Sequence, residues 1–154
     1  MIAFILSAVM LITPHGIPDR GTATWYGSTH SEEKCYGGYG NTCTPYSSGE
    51  LDWYAAVGTW KYHDKPYKVK VCLRDKPNKC VVVIVRDYCH AAWQRINGKG
   101  RENNTRVIDL SPKAFLTLAP LSRGVLHVII REVGWNIQVG KVSKPTGYIR
   151  RNRE

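Results

Sequence analysis

The stretch Arg106-Val-Ile-Asp-Leu-Ser-Pro-Lys-Ala-Phe115 limits what this chain can fold into more than any other. Val107 and Ile108 read as the end of a strand. Ser111-Pro112 reads as a helix start, because Ser is a favoured N-cap and Pro suits the first helical position, where its missing N–H has no partner to lose. Ala114, Phe115 and Leu118 then make one short apolar helical face. Asp109 therefore sits at a strand end, two residues before a helix N-terminus whose dipole favours a carboxylate within reach. It is expected either to brace this turn or to act in a site.

The surrounding chain reads as short strands and turns. Gly21 to Gly27 alternates and reads as a first strand. Residues 28–50 are rich in Gly, Ser, Tyr, Cys and Thr without a period, and form a long loop. Leu51 to Val57 is a short strand or turn. Tyr67 to Leu73 alternates strictly, and Cys80 to Arg86 is a β-branched run, so both are strands about a turn containing Asp75-Lys-Pro-Asn78. Asp87 ends the second. Residues 90–105 read as a polar loop, and Asn103-Asn104-Thr105 is formally a glycosylation sequon. Val125 to Val133 is the last core strand, in which His127 is expected to be packed. Short strands with turn signals and one or two short helices predict a mainly β fold, a small barrel.

Three segments follow from composition. Residues 1–20 open with an apolar run to Thr13, too short to span a bilayer and similar to the core of a secretory signal, followed by a linker. Residues 21–134 are the barrel domain, and residues 135–154 are a basic tail. The chain of 154 residues suits one domain with a real core. Its 22 Lys and Arg against 12 Asp and Glu give a net charge of +10, which favours an anionic partner: nucleic acid, a membrane surface or an acidic wall polymer. Five Trp and nine Tyr against two Phe favour wet, flat binding faces, on which sugars or bases stack.

The five cysteines are Cys35, Cys43, Cys72, Cys80 and Cys89, and an odd number leaves one unpaired in a monomer. Cys72 and Cys80 flank the hairpin turn and are expected to bond, which implies an oxidising compartment. For the others, Cys35–Cys43 and Cys43–Cys89 both stay open. No Cys-x-x-Cys occurs, which argues against a zinc site. Phosphate loops and dinucleotide motifs are absent, so no cofactor and no metal is expected.

In order along residues 21–133, Gly-Thr-Ala-Thr-Trp-Tyr-Gly at 21–27, Ser-Ser-Gly-Glu at 47–50, Val-Val-Val-Ile-Val-Arg-Asp at 81–87, the 106–115 segment and Leu-Ser-Arg-Gly-Val at 121–125 together resemble the double-psi β-barrel of rare lipoprotein A and of the first domain of expansins. The resemblance implies a six-stranded barrel with a polysaccharide groove. It implies Asp109 and Asp87 as catalytic or groove carboxylates, with Thr24 lining the groove; Glu50 and Tyr88 are further substrate-binding candidates, and Tyr26 and Trp53 are expected to bind substrate as sugar-stacking rings. Barrel hydrolases of this shape carry a base in the first strand, where this chain has Thr22, Thr24 and Tyr26; that argues against an inverting hydrolase. A lytic transglycosylase needs only one acid/base group. The His that rare lipoprotein A carries after this segment is replaced by Val57.

The functions implied are a secreted or cell-envelope barrel that binds wall glycan, with peptidoglycan cleavage by lytic transglycosylation, or a non-catalytic expansin-like wall-binding module. A basic nucleic-acid-binding barrel is the third reading, although no specific nucleic acid is expected. The partner expected is peptidoglycan or a related polysaccharide, the state a monomer, and no transmembrane span is expected. Cys89-His90 with His127 raises a cysteine-nucleophile reading of little weight. Trp25, Trp60 and Trp93 are further stacking candidates.

Overall fold

The computed structural model describes residues 11–26, 53–61 and 63–143. Expectations for Glu50, Cys35 and Cys43, for residues 1–10 and for residues 144–154 fall outside the described residues. Among the described residues seven strands form in chain order: β1 (Arg20–Trp25), β2 (Tyr54–Val57), β3 (Tyr67–Leu73), β4 (Cys80–Tyr88), β5 (Arg106–Leu110), β6 (Leu126–Val133) and β7 (Gly140–Lys141). Helix α1 (His90–Ile96) follows β4, and α2 (Pro112–Leu118) follows β5.

The strands run in the order β2-β5-β1-β6-β3-β4, and β4 pairs back onto β2, so six strands close on themselves. β7 adds to β4. Closure leaves no free edge among the six, which is how a small all-β domain protects its backbone groups. Two pairings are parallel, β1 with β5 and β2 with β4. They join residues distant in sequence, and both carry the site described below.

Alternation fills the barrel. Val69, Val71 and Leu73 of β3 meet Val81, Val83 and Val85 of β4, with Val128 and Ile130 of β6, in one buried cluster. Phe115 is fully buried and seats α2 against this core beside Ala114 and Leu118. The helix starts as the sequence requires: Ser111 Oγ accepts the Ala114 N–H at 3.3 Å, and Pro112 takes the first helical position. Cys72 and Cys80 face each other across the β3–β4 hairpin and are disulfide-bonded.

The structure departs from the sequence reading in four places. The expected loop at 90–105 begins with α1, which buries Ala92 and ends at Asn97-Gly98, a stop signal present in the sequence. His127 faces outward and is exposed, because the alternation of β6 points Leu126, Val128 and Ile130 inward. Asp87 lies one residue inside β4. Ordered structure also extends beyond 21–134: Ile17 is buried in the core, Ile12 bridges to Pro18, and β7 extends the sheet into the expected basic tail.

Candidate functional site

The site is a row of residues across four adjacent strands. Thr24 of β1 lies opposite Asp109 of β5, Asp109 lies opposite Ala56 of β2, and Ala56 lies opposite Asp87 of β4. Paired residues share a face, so all four point the same way, away from the core valines. Adjacent strands lie about 4.8 Å apart, which sets the two carboxylate-bearing strands roughly 10 Å apart with only a methyl group between them.

Two shifts in strand register aim the carboxylates. Opposite β2, the β4 pairing jumps from Val85 to Asp87 while β2 advances only from Ala55 to Ala56. Without that extra residue, Asp87 would follow Val81, Val83 and Val85 into the core. Opposite β1, the β5 pairing jumps from Arg106 to Ile108 as β1 advances from Thr22 to Ala23. Val107 and Ile108 are consequently both in the core, and Asp109 turns outward. An inserted residue re-aims the side chains that follow it, a common device beside functional sites.

Each carboxylate has a hydroxyl partner from β1 or just beyond it. Thr24 Oγ1 donates to Asp109 Oδ1 at 2.7 Å. Tyr26 OH donates to Asp87 Oδ2 at 2.7 Å, and the Tyr88 backbone N–H donates to Asp87 Oδ1 at 2.8 Å. Asp87 is 1% exposed, with both oxygens engaged, whereas Asp109 is half-buried. Burial pushes the Asp87 carboxyl up to about 6 against the pull of its two hydrogen bonds, and Asp109 adds like-charge repulsion. Burial also raises Asp109, opposed by Thr24 and Arg106. Burial and the nearby Asp87 carboxylate raise the Tyr26 hydroxyl well above its ordinary value, so it serves as a donor at neutral pH. Bracing bonds alone would have lowered both carboxyls; here desolvation outweighs them.

Ala56, Cys89 and Ala92 form a small apolar floor beside Tyr26. Cys89 is a buried free thiol. Burial raises its pKa, which keeps it a thiol rather than a nucleophilic thiolate. A cleft of about 440 Å³ lies past the ends of β2 and β4, lined in part by Gly58, Trp60, Lys61, Tyr88 and Trp93. Tyr88 OH meets His90 Nδ1 at 3.0 Å on this side. Gly58 is required here, because a Cβ would stand 2.3 Å from the Trp93 backbone nitrogen of α1.

Of the residues expected from sequence, Thr24, Tyr26, Asp87, Tyr88 and Asp109 come together. Trp53 is built into the barrel: its ring packs on the Gly140 backbone and carries the Lys113 ammonium 5.1 Å from its centre. Trp25 donates to the Leu121 carbonyl at 3.1 Å, and Trp60 is in the core. No group of three or more potential metal ligands occurs among the described residues.

No protein-family model matches this chain, and no curated protein matches it. Among solved structures it is similar to the ligand-free expansin of Clavibacter michiganensis, with TM-score 0.50 and 22% identity over 78% of this chain and 52% of that one. The fold is that of an expansin-like double-psi β-barrel. A point mutant of the same expansin in complex with cellohexaose aligns at TM-score 0.48 and 23% identity, over 75% of this chain and 50% of that one. The chain thus spans about half the length of these structures. In this barrel the row of Thr24, Asp109, Ala56 and Asp87 runs over the two parallel pairings and the β5–β2 pair between them. Among the described residues, no helix is long and apolar enough to cross a membrane.

Proposed function

We propose that this chain is an extracytoplasmic barrel that binds cell-wall polysaccharide over the Asp109–Ala56–Asp87 row and cleaves peptidoglycan as a lytic transglycosylase. One observation carries this reading: of the two carboxyls in the row among the described residues, Asp109 is the reachable one, with a raised pKa and an orientation held by Thr24. Asp87 is buried with both oxygens engaged, so it acts through charge and not through contact with substrate. A hydrolase of the two-carboxylate kind needs a second reachable group to activate water. Lytic transglycosylation does not. Protonated Asp109 gives its proton to the leaving glycosidic oxygen, and the C1–O bond breaks. The sugar's own 6-hydroxyl then bonds to C1 and returns its proton to the Asp109 carboxylate, so no water is consumed. Burial raises the Asp109 pKa, which enlarges its protonated, proton-donating fraction over that of an ordinary aspartate. The cleft beyond Tyr88 gives room for a flanking sugar.

A second reading, a wall-binding module without catalysis, is favoured by the β1 residues. Thr24 and Tyr26 stand where barrel hydrolases place a base, and both are spent on holding carboxylates. Purified peptidoglycan incubated with the wild type and with Asp109→Asn decides between the two. Release of 1,6-anhydro sugar products by the wild type alone supports cleavage. Binding without release by either protein leaves the module reading.

A further inference from the structure

The far side of the barrel carries cations that the groove does not use. Along β3, Val69, Val71 and Leu73 point inward, so Lys68, Lys70 and Cys72 point outward. Lys70 lies directly opposite Arg131 of β6, with Arg131 exposed and Lys70 half-buried. Like charges facing each other across an antiparallel pair destabilise a sheet. Neither has an acidic partner: the ion pairs among the described residues are His15 with Glu132 and Arg20 with Asp19.

Lys68 is used differently. It is buried, and its ammonium donates to the Trp135 carbonyl at 2.6 Å and the Ile137 carbonyl at 2.7 Å. It also lies 4.6 Å from the centre of the Trp135 ring. The turn is closed by the Ile137 N–H on the Gly134 carbonyl at 3.0 Å. The turn after β6 is thereby fastened onto β3, yet the Trp135 residue it presents stays 58% exposed. An indole held by a cation–π contact, with its own carbonyl and that of Ile137 both bonded to the same ammonium, gives up little further freedom when a ligand stacks on it. Lys70 is two residues along the same strand face from Lys68, about 7 Å away.

We propose that this face, on the opposite side of the barrel from the groove, is a second binding surface for a carboxylate-bearing polysaccharide of the uronic-acid type. Such a polymer carries a flat ring and a negative charge on the same residue. The ring matches the fixed Trp135 indole, and the carboxylates match the unpartnered Lys70 and Arg131. A polymer with charge but no ring leaves Trp135 unused, and a neutral glycan leaves the repulsive pair unrelieved. Single-stranded nucleic acid also combines rings and charge, but its binders stack successive bases on several aromatic platforms, whereas this face presents one.

The test uses the full chain and a defined oligogalacturonate as probe, with a neutral glucan oligomer and a thymidine oligonucleotide of matched charge as comparison arms. Titration at low salt should show the oligogalacturonate binding more tightly than both. Replacing two charge-assisted contacts, Lys70→Gln with Arg131→Gln, should weaken it by about tenfold or more. The same double variant should melt at an equal or higher temperature, because the cross-strand repulsion is gone. Trp135→Ala should weaken the binding that survives at high salt. Unaltered affinity in the double variant or in Trp135→Ala overturns the proposal. An oligonucleotide that binds more tightly and loses affinity in the same variants overturns it in favour of nucleic acid. A double variant that melts earlier assigns the pair to the fold instead.

Discussion

The groove face and the opposite β3–β6 face handle charge in opposite ways. On the groove side two carboxylates are desolvated, each held by a hydroxyl, and their pKa values rise. On the far side Lys70 and Arg131 are set against each other at the surface, where solvent screens them. The difference teaches that exposure, not charge count, decides which groups the fold has tuned. A buried carboxylate changes its proton affinity, whereas a surface cation stays open to a counter-ion.

The largest effect expected is on chemistry. Asp109→Asn should lower peptidoglycan cleavage by about a hundredfold to ten-thousandfold while wall binding persists, because the amide has no acidic proton to transfer. A turnover assay on folded protein checks this; full activity in the variant removes Asp109 from the chemistry.

Next comes stability against pH. The folded Asp87 carboxyl titrates near 6, above its value of about 3.9 in an unfolded chain. At pH below that unfolded value the group is protonated in both states and costs nothing. As pH rises toward 6, the unfolded chain releases this proton first, so stability falls; above 6 the loss is complete, on the order of 3 kcal/mol. Asp109, also raised, acts in the same direction. Asp87→Asn should flatten this decline, read as melting temperature from pH 4 to pH 7. An equally steep profile in the variant would assign the decline to other groups.

A smaller change should sharpen the hydroxyl contribution. Thr24→Val removes the hydrogen bond that holds the Asp109 pKa down, so the alkaline limb of the cleavage profile should move to higher pH. An unmoved limb would mean that Asp109 does not set it. Least affected of all should be the helix that follows. Ser111→Ala removes the cap on the Ala114 N–H and should cost about 1 kcal/mol in denaturant unfolding, with the pH profile of cleavage unchanged.

Much of this was legible in residue order because its causes are local. Strict alternation in Tyr67 to Leu73 marks a strand whatever lies beside it, and Ser111-Pro112 starts a helix through groups within one turn. Cys72 and Cys80 are joined by a short turn, so the hairpin alone brings them together. Helix α1 was hidden because its start has no side-chain cap and its apolar face is short. His127 was misjudged because its neighbours are apolar, while strand alternation decides which way it points.

The sequence by itself determined strands β1, β3, β4, β5 and β6, the α2 start, the hairpin disulfide and the presence of Asp87 and Asp109 beside strand ends. Only the tertiary structure decided that these two carboxylates share one face. Parity along β4 assigns Asp87 to the same side as Val81, Val83 and Val85, inside the barrel. The register shifts opposite β2 and β1 reverse that, and a shift in pairing is a property of two strands together, not of either one alone. The raised pKa values are likewise beyond the reach of residue order. They come from desolvation, which depends on what the closed barrel places around each carboxyl and not on its neighbours in the chain.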